Sequence, residues 1–464
     1  MVHFGALLPH PPIIVEGIGG PADREQAGST IAAMQTVDRL LGADPPDTLI
    51  VFTPHGTIYQ DAIIIYADQQ LSGGLRQFGL ERTWSWETDR ELAEEIGVLG
   101  QAAGLPVYLM EQRQAAGQRG KTGLDHGVLV PLSFFNPEWA NRVKLVVIPL
   151  SLLPLEELYQ FGNQVREAVA RLGRKTAIIA SGDLSHCLTA NAPSAYNPKG
   201  AEFDRKLVEL IQQSAVKEFM EFDPELLGNA AECGFRSLIM LLGAFDRIDF
   251  RSQVHSYEGP FGVGYAVATF QPVGERLGFT ADFFARREQQ VLQRKAAETP
   301  LVRFARGVVE SYVQERNLPE PLGLEDFRNE QAGVFVSIKK HGELRGCIGT
   351  IEATRDNVID EIRENAVAAA TRDPRFNPIE ADELDHLVYS VDILKPAEPA
   401  TGIHELDPKR YGVIVRSGHR TGLLLPNLEG VNTAEEQVAI AKRKAGISPH
   451  DPVELERFEV VRYY

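Results

Sequence analysis

Apolar residues in the first 270 positions come in short, nearly unbroken runs. Between the runs they recur every three or four residues among polar ones. The runs Phe4–Leu8, Leu49–Phe52, Ala62–Tyr66, Leu145–Pro149, Ala177–Ala180 and Gly264–Phe270 have the length and composition of buried strands. Arg90–Gly104, Pro154–Leu172, Lys199–Gln213 and Glu232–Ala244 carry the helical period. This alternation predicts an α/β domain, an open sheet with helices on its faces. Gln271-Pro272-Val273-Gly274 breaks the pattern, and residues 282–316 are strongly helical. Within them Thr299 suits a helix cap and Pro300 a first turn. Further on, Gly333–Lys339, Leu387–Leu394, Gly412–Arg416 and Gly422–Leu425 read as strands, and Asp356–Thr371 and Ala434–Ala445 as helices. The expected organisation is an α/β domain over 1–272, a helical linker over 273–298, and a smaller α+β domain over 299–464. No internal repeat or low-complexity segment interrupts it.

A chain of 464 residues is long enough for two domains with cores of their own. No apolar run approaches the ~20 residues of a membrane span, and the N-terminus lacks the pattern of a signal peptide. Three cysteines argue against a disulfide framework and suit a reducing cytoplasm. Net charge is −17, with acidic residues in excess on both sides of residue 298. That balance argues against nucleic acid as a partner.

Candidate chemistry sits at the ends of the apolar runs. Three of them deliver a histidine, in Leu8-Pro9-His10, Thr53-Pro54-His55-Gly56 and Ser181-Gly182-Asp183-Leu184-Ser185-His186. In an open α/β sheet, ligands bind outside the carboxyl ends of the strands. Histidines just past three strand ends are therefore expected to share one crevice, and neutral imidazole is a common ligand for iron, zinc or copper. His126 follows Asp125 in another turn, and Glu258 lies in a turn-like stretch three residues after His255. A lone histidine at a strand end is more often a hydrogen-bonded structural residue than a ligand. Asp125-His126 also reads as a simple helix start, and Asp183 as a cap.

The order Pro-His, Pro-His-Gly, Asp-His-Gly-x-x-x-Pro-Leu, Ser-Gly-Asp-Leu-Ser-His and a late Glu resembles the class III extradiol ring-cleavage dioxygenases. The nearest type is the catalytic beta subunit of protocatechuate 4,5-dioxygenase, and the related Memo proteins share the fold. The resemblance covers about residues 1–270 and implies His10, His55 and Glu258 as ligands of Fe(II), with zinc or copper as alternatives. It implies His186 as the base that takes the catechol proton, His126 at the substrate or dioxygen pocket, and Asp183 as the residue that orients the His186 loop. Memo-type members lack the carboxylate ligand, which leaves His255, or no third ligand, open beside Glu258. A small aromatic substrate and O2 are the implied reactants.

In the second half, Leu344-Arg345-Gly346-Cys347-Ile348-Gly349-Thr350 follows His341-Gly342-Glu343, which reads as a hairpin turn. An arginine near Cys347 would favour the nucleophilic thiolate. Arg372, Asp373 and Arg375 either face it or solvate a helix end. An isolated cysteine in a strand is more often a buried packing residue, and Cys187 and Cys233 are read as packing. With Arg-Asp-Pro-Arg-Phe, Leu394-Lys-Pro, Tyr411-Gly-Val and Gly422-Leu-Leu-Leu-Pro, this motif closely resembles the AMMECR-type domain over about 299–464. The resemblance implies a surface cleft holding Arg345 and Cys347 but names no reaction. Together the halves look like a fusion of two components of the grouping called the AmmeMemoRadiSam system. A separate radical S-adenosylmethionine enzyme is the implied partner, since three scattered cysteines cannot hold its cluster. Two readings follow: an iron dioxygenase, or a non-catalytic metal-binding scaffold for a modification pathway.

Overall fold

Each of the six runs read above as buried strands in the first 270 residues is a strand. In the unit Met1–Phe284 the strands are β1 (Val2–Leu8), β2 (Thr48–Thr53), β3 (Ile63–Tyr66), β4 (Gln70–Gly74), β5 (Thr83–Glu87), β6 (Val107–Met110), β7 (Lys144–Pro149), β8 (Thr176–Ser181), β9 (Ile248–Glu258) and β10 (Tyr265–Glu275). The structure is a computed structural model and describes every residue except 117–122, 429–430 and 432. Its main sheet has the order β7-β2-β8-β1-β10-β9. The first four strands run parallel; β10 and β9 pair antiparallel at one edge. β3 pairs instead with β6, and β4 with β5, in two small ribbons.

The parallel strands are apolar on both faces because both faces are covered. Leu7, Ile50, Phe52 and Ile178 pack with helices Leu155–Arg171 and Phe235–Ala244. Their neighbours Ala6, Leu8, Val51 and Ile179 pack on the other side with helix Gly28–Ala43. Each such side chain, fully buried, contributes roughly 1.5–3 kcal/mol, so the strand ends rest on a firm scaffold.

Two expectations fail at the sheet edge. The break at Gln271 is absent: β10 continues through Pro272 to Glu275. β1 pairs with β10 only as far as Phe270, so beyond it that side of β10 is an open edge, where proline removes no ladder bond. The turn-like setting of His255 and Glu258 is likewise a strand, β9, whose polar positions fit its edge location.

The second unit, Ala285–Tyr464, is α+β. Its strands are β11 (Val334–Lys340), β12 (Glu343–Gly349), β13 (Leu387–Leu394), β14 (Glu398–Ala400), β15 (Gly412–Ser417), β16 (Arg420–Leu424), β17 (Glu454–Phe458) and β18 (Val460–Tyr463). They form two antiparallel sheets, β12-β11-β13-β18 and β14-β17-β15-β16. Helices Pro300–Val313 and Val358–Thr371 cover one face of the first through Val308, Ile362 and Ala366 against Val334, Val336 and Ile338. Helix Ala434–Lys444 covers the second through Val438 and Ala441. His341 and Gly342, both at positive φ, make the expected hairpin turn. Helix Thr280–Ala297 crosses the boundary between the units. No described helix is long and apolar enough to cross a membrane.

Candidate functional site

Because β1, β8 and β2 are adjacent and parallel, their carboxyl ends lie along one edge of the sheet. The residues that follow them meet there. The His10 N–H donates to Asp183 Oδ1 at 2.8 Å, and His10 Nδ1 lies 3.0 Å from Ser181 Oγ. The Ser181 hydroxyl donates its only proton to the Gly127 carbonyl. His10 Nδ1 must therefore be the donor to Ser181, which leaves the lone pair on Nε2. That Nε2 stands 3.0 Å from His55 Nε2.

His126 completes the cluster. It is the first residue of helix His126–Ser133, and Asp125 is the cap. Asp125 Oδ1 accepts from the Gly127 N–H at 2.7 Å and from Thr53 Oγ1 at 3.0 Å, which ties the helix start to the end of β2. The helix-start reading and the site reading of Asp125-His126 are thus one arrangement. Residue 127 must be glycine: a Cβ there would stand 2.5 Å from Thr53 Oγ1 and 3.1 Å from His55 Cδ2. The ring centres of His126 and His55 are 4.2 Å apart, and those of His126 and His10 5.4 Å. One ligand atom from each of His10, His55 and His126 lies within 4.8 Å of the others.

The electrostatics suit a cation. Burial lowers the pKa of His10 well below its ordinary value, and the neighbouring imidazoles push it further down. Burial lowers His55 against the pull of Asp125, and together with His55 it lowers His126 to about 4. All three rings are neutral at pH 7, as metal ligands must be. Two donors about 2.1 Å from one ion and about 90° apart stand about 3.0 Å from each other, whereas a tetrahedral pair stands about 3.4 Å apart. The His10–His55 separation matches the first arrangement. It equally permits an N–H···N bond in which His55 donates.

His186 faces the same cluster, close enough for its charge to bear on His10. Burial lowers its pKa, against backbone groups of Ala231 and Leu184. Asp183 is buried, and that burial raises its pKa to about 7, opposed by the His10 N–H. Glu258, expected as the third ligand, is not in the cluster: its Oε1 accepts from Thr30 N at 2.7 Å and Thr30 Oγ1 at 2.6 Å. His255 is also elsewhere, with Nε2 2.9 Å from Thr269 Oγ1.

The structure adds one residue read from the sequence as packing. Cys233 Sγ lies 3.8 Å from His10 Nε2 and accepts from the Asp183 N–H at 3.3 Å. The backbone at Gly182 and Gly234 touches so closely that a Cβ on Gly182 would meet Gly234 Cα at 2.0 Å, and this seats Cys233 against the β8 end. Burial raises its pKa well above the ordinary value, so the resting group is the thiol. Cys233 follows the short helix Pro224–Asn229 rather than an apolar strand, so its sequence setting gave no signal of the kind that marked the histidines. Cys187 is buried among backbone carbonyls, as expected of packing.

In the second unit the expected pairing of Arg345 with Cys347 does not occur. Lys339 pairs with Leu344 but Ile338 with Gly346, so Arg345 is the extra residue of a β-bulge. It points away from Cys347, to Glu383 Oε2 at 2.8 Å and the Asn377 carbonyl at 2.8 Å. Arg372 is an exposed partner of Glu364. Asp373 and Arg375 do reach the motif. Asp373 Oδ2 accepts from the Cys347 N–H at 2.9 Å, and Arg375 donates to the Cys347 carbonyl at 3.3 Å. Cys347 Sγ accepts from the Ser337 hydroxyl at 3.2 Å. Burial raises the thiol's pKa, although Ser337 and Arg375 pull it down, so no thiolate is preformed.

Residues 5–268 match the family model described as the catalytic LigB subunit of aromatic ring-opening dioxygenase, and residues 302–463 match AMMECR1. A Clostridium acetobutylicum protein is 38% identical over 98% of this chain and 98% of its own. A Thermotoga maritima protein is 54% identical over 36% of this chain and 98% of its own. The crystal structure of an uncharacterised Pyrococcus horikoshii protein is similar, at 30% identity over 35% of this chain and 88% of that one, with a TM-score of 0.33.

Proposed function

The chain belongs to the family that joins a LigB-type domain to an AMMECR1 domain, and from that premise we propose that the first unit is a non-haem Fe(II) dioxygenase centre. Its substrate is a catechol-type or other small aromatic compound, opened with O2. The observation that carries this reading is the convergence of His10, His55 and His126, all neutral, at adjacent parallel strand ends. These three would hold the ion. When bound, iron supplies the activation of O2 that side chains cannot.

The rest of the work falls to the chain. Ser181 holds His10 in the tautomer with Nε2 free. Asp183 ties the loop after β1 to the loop after β8 through the His10 N–H. His186, neutral at working pH, takes the proton of a substrate hydroxyl and returns it to the product. A set of neutral imidazoles leaves the full charge of the ion to attract an anionic chelating substrate.

One observation favours a second reading, a metal-binding scaffold serving a radical S-adenosylmethionine pathway. The carboxylate of a two-histidine, one-carboxylate set is committed to Thr30, while a thiol stands near His10. Anaerobic loading of the whole chain with Fe(II), followed by O2 uptake across a catechol panel, separates the two. Yellow ring-opened product, lost in His10→Ala and His55→Ala, is expected. Stoichiometric metal with no O2 uptake on any catechol would favour the scaffold.

A further inference from the structure

Within the second unit, the face of the β12-β11-β13-β18 sheet turned away from its helices is the floor of a cavity of about 1070 Å³. Strand alternation makes that floor. Val334, Val336 and Ile338 of β11 enter the core, while Phe335, Ser337 and Lys339 line the cavity. Leu344 reaches the same side because of the bulge at Arg345, and Cys347 lies on the floor beside Ser337. Leu423 and Leu425 form a wall, and Lys444 ends helix Ala434–Lys444 at the margin.

The charges of the lining are unequal. Arg294, Lys339, Arg375, Lys444 and Arg462 face a single acidic side chain, Glu298. Asp373 neutralises Arg375, a bidentate Asp392 neutralises Arg462, and Arg306 takes up Glu298. Arg294, Lys339 and Lys444 have no carboxylate partner among the described residues. Burial lowers the Lys444 pKa, with Cys347 and Arg375 near enough to bear on it. In a chain of net charge −17, three uncompensated cations around an apolar floor form a receptor for an anion. A concavity of this volume is at the scale of small-molecule sites, and its apolar surface with few polar groups is their usual build.

We propose that this cleft binds a small organic anion, a carboxylate or phosphate carried on an apolar body. Lys339 and Lys444 hold the charge, Phe335, Leu344 and Leu423 contact the body, and Cys347 lies beneath it. The proposal does not rest on the metal reading of the first unit.

The test is equilibrium dialysis of the whole chain in chelator, so that bound metal contributes nothing. The probes are 1-naphthyl phosphate, 1-naphthoate and neutral 1-naphthol, which share one apolar body. Both anions are expected to bind at least about tenfold more tightly than naphthol, the scale of charge-assisted contacts. Lys339→Gln with Lys444→Gln should remove that advantage, and Lys444→Arg alone should keep it. Lys339 lies in an exposed position and Lys444 at the last residue of its helix, and neither makes a carboxylate pair among the described residues, so the variants are expected to fold. The tighter of the two anions identifies the head group as phosphate or carboxylate. Equal binding of naphthol, no binding at millimolar probe, or an advantage that survives the double substitution would overturn the proposal.

Discussion

The two units collect their reactive groups in different ways. In the first, His10, His55 and Asp183 follow the ends of neighbouring parallel strands, and parallel strands all end at the same edge. Residues far apart in the chain arrive together because their strands are neighbours and run in one direction. In the second, Ser337, Lys339 and Cys347 lie on one face of an antiparallel sheet. There a residue's side of the sheet depends on register, residue by residue. One extra residue at Arg345 puts its guanidinium away from a cysteine only two positions on. Sequence distance is a poor guide in both units, in opposite directions.

That contrast can be broken or sharpened by measurement. His10→Ala or His55→Ala should weaken metal binding by at least about 100-fold, by titration and metal analysis, more than an outer-shell change costs. The second unit should melt unchanged; a variant that keeps its metal would break the edge-convergence account. Ser181→Ala should cost about 10–100-fold in metal affinity, because His10 then loses the acceptor that fixes its tautomer. In the second unit, Asp373→Asn weakens the clamp on the Cys347 backbone and should lower stability by about 1–3 kcal/mol in urea. Arg372→Ala, at an exposed pair, should stay within about 0.5 kcal/mol. Equal effects from the two would mean that Asp373 also merely solvates the helix end.

Two smaller effects concern pH. Burial holds His126 at about 4, against an ordinary value of 6.5. Between these values the unfolded chain binds a proton that the folded chain refuses, so stability rises with pH there. Metal-free wild type should lose stability relative to His126→Gln as pH falls from 6.5 toward 4, and a flat difference would place the ring in solvent. Alkylation of Cys347, followed by peptide mapping, should keep accelerating above pH 9, since burial raises its pKa. A plateau near pH 7 would show a preformed thiolate, against the effect of burial.

Much of the fold could be read from patterning. Runs buried on both faces, such as Leu49–Phe52, leave no polar alternation to mislead, and each became a strand. The edge strand β9 was missed because half its positions are polar, and with it the setting of Glu258. His10 and His55 were legible as residues in Pro-containing turns after apolar runs, and His126 as the residue between Asp125 and Gly127 in another turn. Cys233 was not, because its place depends on the contact between Gly182 and Gly234, which come from distant segments.

Local order in the chain was enough to determine the buried strands and the main helices, the α/β and α+β classes and the candidate imidazoles, since these depend on periodicity and turn chemistry within a few residues. Only the tertiary structure decided which groups meet. It grouped His126, and not Glu258, with His10 and His55, placed Cys233 beside His10 and turned Arg345 from Cys347. Those choices rest on strand order, on one bulge and on backbone contacts between remote segments. No local pattern encodes them, because each is set by packing of the whole domain.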